Sequence, residues 1–328
     1  MKAVTIAAFA AQAAASPAAP DSQQVALAQL HAADARLAAV HFRLVTANAD
    51  LCRTLMPVTG ARFNTLAQYA PVVRAAARAR YGFAAPQAVQ LVVPASPAEG
   101  QLQAGDAVTA INGVAEPAAM PAADAPARNA ARDALRGRIA ALPPAAPIAF
   151  AITRAGTPMT VWLTPRPGCR AEVEVTFDQD SYSLEDGTLA ISADVLRRFD
   201  ENGVAVVIAH ELAHVILRTQ ARLDAAGVKT GMFVGELGRN ARLRKQGELE
   251  ADRLAVALLY NAGYPPGLAA EFFAGPGKAI DYGLLRDRGT PSRSERVAAT
   301  REEAALITPG TPRPYQPAIL AARDQKMQ

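Results

Sequence analysis

The stretch Val204-Ala-Val-Val-Ile-Ala-His-Glu-Leu-Ala-His-Val-Ile-Leu217 decides how this chain is read. It is an apolar run of helical length whose second half carries His210, Glu211 and His214. On a helix the two histidines stand four residues apart, one turn along the same face. Two imidazoles so placed can bind one metal ion. Glu211 is rotated by about 100° from His210, so it flanks that ion without ligating it and can hold a water. The plainer alternative is a buried helix with two core histidines.

Working outward, Glu172-Val-Glu-Val-Thr-Phe177 alternates as a half-buried strand, and Thr188-Leu-Ala-Ile-Ser192 is a second short strand after a turn around Glu185-Asp-Gly187. A helix starts at Ser192 and is expected to end at Asp200-Glu-Asn-Gly203. A strand beside the histidine helix has a use in peptide chemistry, because its free edge can hold an extended chain by main-chain hydrogen bonds. On the other side, Gln220 to Gln246 is polar and Gly-spaced, with an apolar patch at Met232-Phe-Val234. It reads as a helix plus a cover over a cleft. Glu248-Leu-Glu-Ala-Asp252 then opens a helix running to Tyr260, its acidic start suiting a helix N-terminus, with Gly263 and Pro265 closing it.

Nearer the N-terminus, Val25, Leu27, Leu30, Leu37, Val40 and Leu44 recur at helical intervals, and a second helix is expected from Phe63 to Arg80. Residues 21–80 thus read as a helical region. His31 and His41 there form no ligand pattern. From Tyr81-Gly-Phe83 the texture turns to short β-like runs cut by Gly and Pro, with one helix at Arg128 to Leu142. Ile148–Thr153 and Met159–Leu163 close this module as a hairpin with a five-residue, Gly-containing loop. Pro165-Arg-Pro-Gly168 is a joint.

The chain has 328 residues, enough for two or three cores, with 51% apolar and 5% aromatic residues. The net charge of +4 comes without a dense Lys/Arg run interleaved with aromatics, which argues against a nucleic-acid partner. Arg239, Arg242, Arg244 and Lys245 read as a solvated helix face. Residues 1–20 read as a signal peptide, with Lys2, an Ala-rich apolar core and small residues before Pro17. No later stretch is apolar for the length a membrane span needs. The expectation is export without a transmembrane span in the mature chain: periplasmic in a Gram-negative source, otherwise secreted. Cys52 and Cys169 belong to no Cys-x-x-Cys pair, and two lone cysteines in an oxidising compartment predict one disulfide.

His-Glu-x-x-His on a helix is the arrangement of zinc hydrolases. Two histidines leave such a zinc one protein ligand short, because a hydrolytic site wants three and an open water position. A carboxylate from a later helix supplies the third in the His/His/Glu class. Glu248 and Glu250 both qualify by charge, and spacing alone does not choose between them.

Here the chain resembles the M48 metallopeptidases, on His210-Glu-Leu-Ala-His214 followed by Glu248-Leu-Glu-Ala-Asp252 and then Ala262-Gly-Tyr-Pro-Pro266. The resemblance covers about residues 170–300 and implies an α+β, mainly helical zincin-type (gluzincin) peptidase domain at 169–308. It makes His210, His214 and Glu248 the ligands of one Zn²⁺ and Glu211 the general base. Asp252 becomes an acceptor behind a ligating histidine, and Glu250 a surface residue. The family's His-Pro pair with a following Arg is met by Thr290-Pro-Ser-Arg-Ser-Glu-Arg296, so Arg296 matches while the His is replaced by Thr290. No histidine follows His214, which leaves Tyr264, Tyr282, Arg293 and Arg296 as donors for an oxyanion, with Arg296 equally suited to a structural ion pair.

Residues 81–165 resemble a PDZ domain on Ser96-Pro-Ala-Glu, Ala104-Gly-Asp-Ala-Val and Ile111-Asn-Gly-Val. That implies recruitment of polypeptide substrates, with Tyr81-Gly-Phe83 as candidate carboxylate-binding loop. Residues 309–328 form a Pro-rich tail, expected to be extended or disordered. The reading is an exported zinc metalloendopeptidase, a hydrolase, and the resemblance implies that it acts on misfolded or envelope proteins. The rival reading is a non-enzymatic PDZ-bearing chaperone or adaptor with a latched or vestigial zinc site.

Overall fold

A computed structural model describes residues 22–228, 238–280 and 288–327. The expected signal peptide, the Met232-Phe-Val234 patch and Tyr282 lie outside the described residues. The architecture is α+β, with helices packed on a small mixed sheet and a β-rich module set into the chain.

Helix α1 (Ser22–Ala47) buries Leu37, Val40, Leu44 and Val45 in the same core as α5 (Glu201–Leu217) and α7 (Gly238–Asn261). Asn48 pins its end. The Asn48 amide donates to the carbonyls of Leu44 at 2.8 Å and Leu258 at 3.0 Å, and its oxygen accepts from Asn261 at 2.9 Å. Next comes β1 (Leu55–Val58), antiparallel to β8 (Arg166–Cys169) with Leu55 opposite Cys169. Beside this pair Cys52 and Cys169 form the expected disulfide, their Cα atoms 5.4 Å apart.

Between β1 and β8 the module runs β2 (Ala61–Thr65), α2 (Arg74–Tyr81), β3 (Gln87–Val92), β4 (Ala107–Ile111), β5 (Val114–Ala115), α3 (Ala130–Ala140), β6 (Ile148–Arg154) and β7 (Thr157–Leu163). The sheet order is β2-β3-β4-β6-β7, with β5 paired to β4. The helix expected from Phe63 is therefore shortened to α2. Phe63 instead lies in β2 opposite Val89, and its ring stacks on Phe150 with centroids 5.7 Å apart. Burial against the sheet overrides a weak local preference, and the sheet begins ahead of Tyr81.

The Tyr81-Gly-Phe83 segment is not an open loop. Tyr81 and Phe83 are each 2% exposed, packed with Tyr69 and with Leu27 of α1. The hairpin loop is also tighter than expected. Ala155 and Gly156 both take positive φ, 48° and 83°, so a two-residue turn suffices and Arg154 pairs with Thr157. Asp106 accepts from Arg154 Nε at 2.8 Å and Nη2 at 2.7 Å, which ties the end of β6 to the start of β4.

Strands β9 (Glu172–Thr176), β10 (Tyr182–Ser183) and β11 (Thr188–Ser192) form the mixed sheet in the order β10-β11-β9. After α4 (Ala193–Arg198), Asp200 opens a helix rather than ending one. Its Oδ1 accepts from the Gly203 N–H at 2.9 Å, capping α5. α5 is buried nearly all round, as expected of a helix apolar on every face. Arg218, at φ 53°, then turns the chain by 44° into α6 (Thr219–Ala225). α7 begins at Gly238, well before Glu248, so Glu248 sits inside a helix instead of at its start. α8 (Leu268–Ala274) and α9 (Arg293–Ala305) pack together and against α7.

The tail is docked. Arg222 Nε donates to the Gln325 carbonyl at 3.0 Å, Tyr315 N–H donates to Asn261 at 2.7 Å, and Ala322 and Met327 are buried. Its prolines keep it out of regular helix, but backbone groups and apolar side chains still find partners. Among the described residues no single helix is long and apolar enough to cross a membrane.

Candidate metal centre

Three side chains that could hold a metal ion converge between α5 and α7. His210 Nε2 and His214 Nε2 are 3.1 Å apart, His210 Nε2 lies 3.3 Å from Glu248 Oε2, and His214 Nε2 lies 3.5 Å from Glu248 Oε1. Two ligands about 2.0–2.1 Å from a tetrahedral zinc stand roughly 3.3–3.4 Å apart. The two ring nitrogens are thus near the separation of two ligands on one zinc, and the Glu248 carboxylate presents one oxygen to each of them. Both rings turn Nε2 inward because their Nδ1 atoms are held outside. His210 Nδ1 is 2.9 Å from Asp252 Oδ1, and His214 Nδ1 is 3.1 Å from Thr219 Oγ1. Each acceptor sets the tautomer and ring direction of a would-be ligand.

Asp252 is fully buried and serves two groups at once. Arg296 donates Nε to its Oδ2 at 2.8 Å and Nη2 to its Oδ1 at 2.5 Å, while its guanidinium lies 4.1 Å over the Phe273 ring. Arg296 is thereby committed to an ion pair behind the ligands. Tyr264 is committed too, its hydroxyl 3.3 Å from Glu201 and its ring under Arg43 at the far end of α5. Arg293 lines the cleft one turn before Arg296. Glu250 is buried, not on the surface: Arg222 Nη1 donates to it at 2.6 Å and Gln246 at 2.8 Å.

The electrostatics fit a site that demands a cation. Burial and Arg296 oppose a charge on His210, yet its hydrogen bonds to Asp252 and Glu248 outweigh them and raise it to about 10. Burial lowers His214 to about 4. Burial also works against the Glu248 anion, but His214 and His210 hold it well below the usual carboxylate range. The donor set therefore gathers one proton where a metal would supply positive charge. Glu211 is different. Burial, with Glu248 adding to it, pushes its carboxyl up to about 7 against the opposing pull of His210. A group poised there can both take and return a proton near neutral pH.

The centre opens into a cleft of about 1040 Å³ lined by residues 179–185, by Thr290, Pro291, Arg293 and Arg296, and by the apolar Val207, Phe272 and Phe273. β10 is terminal in its sheet and borders this cleft, where its Ser183 and Glu211 line the same space. Thr219 and Ser183 were not singled out from the sequence. Thr219 acts across the left-handed break at Arg218, and Ser183 across a sheet, so neither carries a spacing signal.

No protein-family model and no curated protein matches the chain.

Proposed function

We propose that the chain is an exported, zinc-dependent endopeptidase of the M48 type. The observation that carries this reading is the His210–His214–Glu248 triangle with Glu211 beside it. The donor set is two imidazoles and one carboxylate, nitrogen and oxygen ligands that the borderline-soft Zn²⁺ accepts, and the edge of β10 beside it suits an extended polypeptide. When bound, the zinc would polarise the scissile carbonyl and lower the pKa of a water. Glu211 takes a proton from the attacking water and returns it to the leaving amine. Asp252 and Thr219 hold both imidazoles with Nε2 aimed at the site, and Arg296 keeps Asp252 ionised. The disulfide supports export. The order of strands and helix in the module supports a PDZ-like domain.

The deciding experiment measures zinc content and casein cleavage for the wild type and for Glu211→Gln. The variant should bind one zinc per chain and lose at least a hundredfold in cleavage rate, about the contribution of a general base. Equal cleavage by both proteins, or no cleavage of several unfolded substrates by the zinc-loaded wild type, would return the chain to the chaperone or adaptor reading. Internal product ends separate an endopeptidase from an exopeptidase.

A further inference from the structure

A glycine in the middle of a helix needs a reason, because alanine is the more stable residue there. Gly247 lies inside α7, is buried, and immediately precedes Glu248. The neighbour it faces is Thr219. A methyl carbon at position 247 would stand 2.7 Å from Thr219 Cγ2 and 3.2 Å from Met327 Cε. Two carbons do not tolerate the first distance. The second asks only a small shift of a flexible side-chain end.

α6 is held where it meets Gly247. It leaves α5 at the left-handed Arg218, so no continuous helix fixes its place. Side-chain contacts fix it instead. Arg222 donates Nη1 to Glu250 of α7 at 2.6 Å and Nε to the Gln325 carbonyl of the tail at 3.0 Å. Leu223 packs with Leu243 of α7 and with Met327. To back away from a methyl at position 247, α6 would have to give up these contacts.

The cheaper response is for Thr219 to turn, and the same side chain holds His214. Thr219 Oγ1 is 3.1 Å from His214 Nδ1. Its methyl and hydroxyl share one Cβ, and χ1 of a β-branched residue has few open rotamers. Turning Cγ2 off position 247 therefore swings Oγ1 off the imidazole.

We propose that Gly247 is a positioning residue of the metal centre: the space it leaves for the Thr219 methyl fixes the Thr219 hydroxyl on His214 Nδ1 and so aims His214 Nε2 at the ion. The inference rests on the reading of His214 as a metal ligand and is independent of hydrolysis.

The test titrates the full chain with Zn²⁺ against a chelator, and with Co²⁺, whose visible absorption follows ligand geometry. Gly247→Ala should bind zinc about tenfold more weakly, the loss expected when a ligand's orienting partner is displaced, and its Co²⁺ spectrum should shift. Thr219→Ser drops the methyl and keeps the hydroxyl, so it should stay within about threefold of the wild type. Thr219→Ser/Gly247→Ala should regain the affinity and spectrum of Thr219→Ser. Thr219→Val keeps the shape, loses the hydroxyl and should match Gly247→Ala. A glycine that matters only for helix stability would change the melting temperature of the metal-free protein and leave the Co²⁺ spectrum alone. Wild-type zinc affinity in Gly247→Ala overturns the proposal, as does a double variant no better than Gly247→Ala. If Gly247→Ala does not fold, Thr219→Val decides, and wild-type affinity there refutes the positioning role. A wild type that takes up no zinc brings down the metal reading as well, whereas an unchanged Gly247→Ala beside a zinc-binding wild type brings down this inference alone.

Discussion

Asp252→Asn separates two jobs that one carboxylate performs. Asp252 is 0% exposed and holds both Arg296 and His210. Neutralising it leaves the Arg296 guanidinium buried without its counter-charge, which costs about 3–5 kcal/mol. At roughly 2–4 °C per kcal/mol for a chain of this size, the metal-free protein should melt on the order of 10 °C lower. The amide still offers one oxygen, but it no longer favours a proton on His210 Nδ1 as a carboxylate does. Zinc affinity should therefore fall by about 10–100-fold. Adding Arg296→Met removes the stranded charge and lets an apolar chain lie over Phe273. The pair should then be about 1–3 kcal/mol more stable than the sum of the single effects. Zinc affinity should not recover, because His210 still lacks its partner. Urea denaturation of the metal-free proteins and competition with a chelator give the two readouts. Wild-type zinc affinity in Asp252→Asn, or strict additivity of the two substitutions, refutes the division of roles.

Two further outcomes follow from buried groups away from the centre. His41 is 4% exposed, donates Nε2–H to the Ala171 carbonyl at 2.9 Å, and is lowered by burial to about 4 from an ordinary 6.5. The unfolded chain therefore binds a proton between those values that the folded chain refuses, so stability falls as pH drops from 6.5 toward 4. Between pH 7 and pH 5 the wild type should lose roughly 2 kcal/mol more than His41→Gln in denaturant titrations; equal losses would remove His41 as the cause. Met327 is 4% exposed against Leu223, Val228 and Leu243, so Met327→Ala should cost about 2–4 kcal/mol, whereas a loose tail would give no change in melting temperature.

The candidate metal centre was largely legible because the residues that could hold an ion are linked by helical spacing. His210 and His214 announce themselves at four residues, and Asp252 lies one turn beyond Glu248. Choosing Glu248 over Glu250 needed the resemblance, since what distinguishes the two is the partner each meets across a helix interface: the histidines for half-buried Glu248, Arg222 for buried Glu250. The start of α7 was hidden for a related reason. Charge at Glu248 imitates an N-terminus, while the residues from Gly238 onward are helical because α7 packs on α5, α8 and α9. β2 was missed because Phe63 has few sequence neighbours to mark a strand; its partners Val89 and Phe150 are distant. The docked tail was misread because composition alone cannot register a neighbour such as Arg222.

The β1–β8 pair and the Cys52–Cys169 bond bring the two ends of the module to one narrow neck, with Val58 opposite Arg166. Everything from Thr59 to Pro165 leaves the helical body and returns to it at the same place. The body is thus complete in its connections without the module, like a handle with an exchangeable head. Proteolysis within the loop between β5 and α3 would cut the chain yet release nothing until a reductant opened the neck. The same geometry would let a lineage shorten, replace or discard the head while leaving the paired strands and the histidine helix in place.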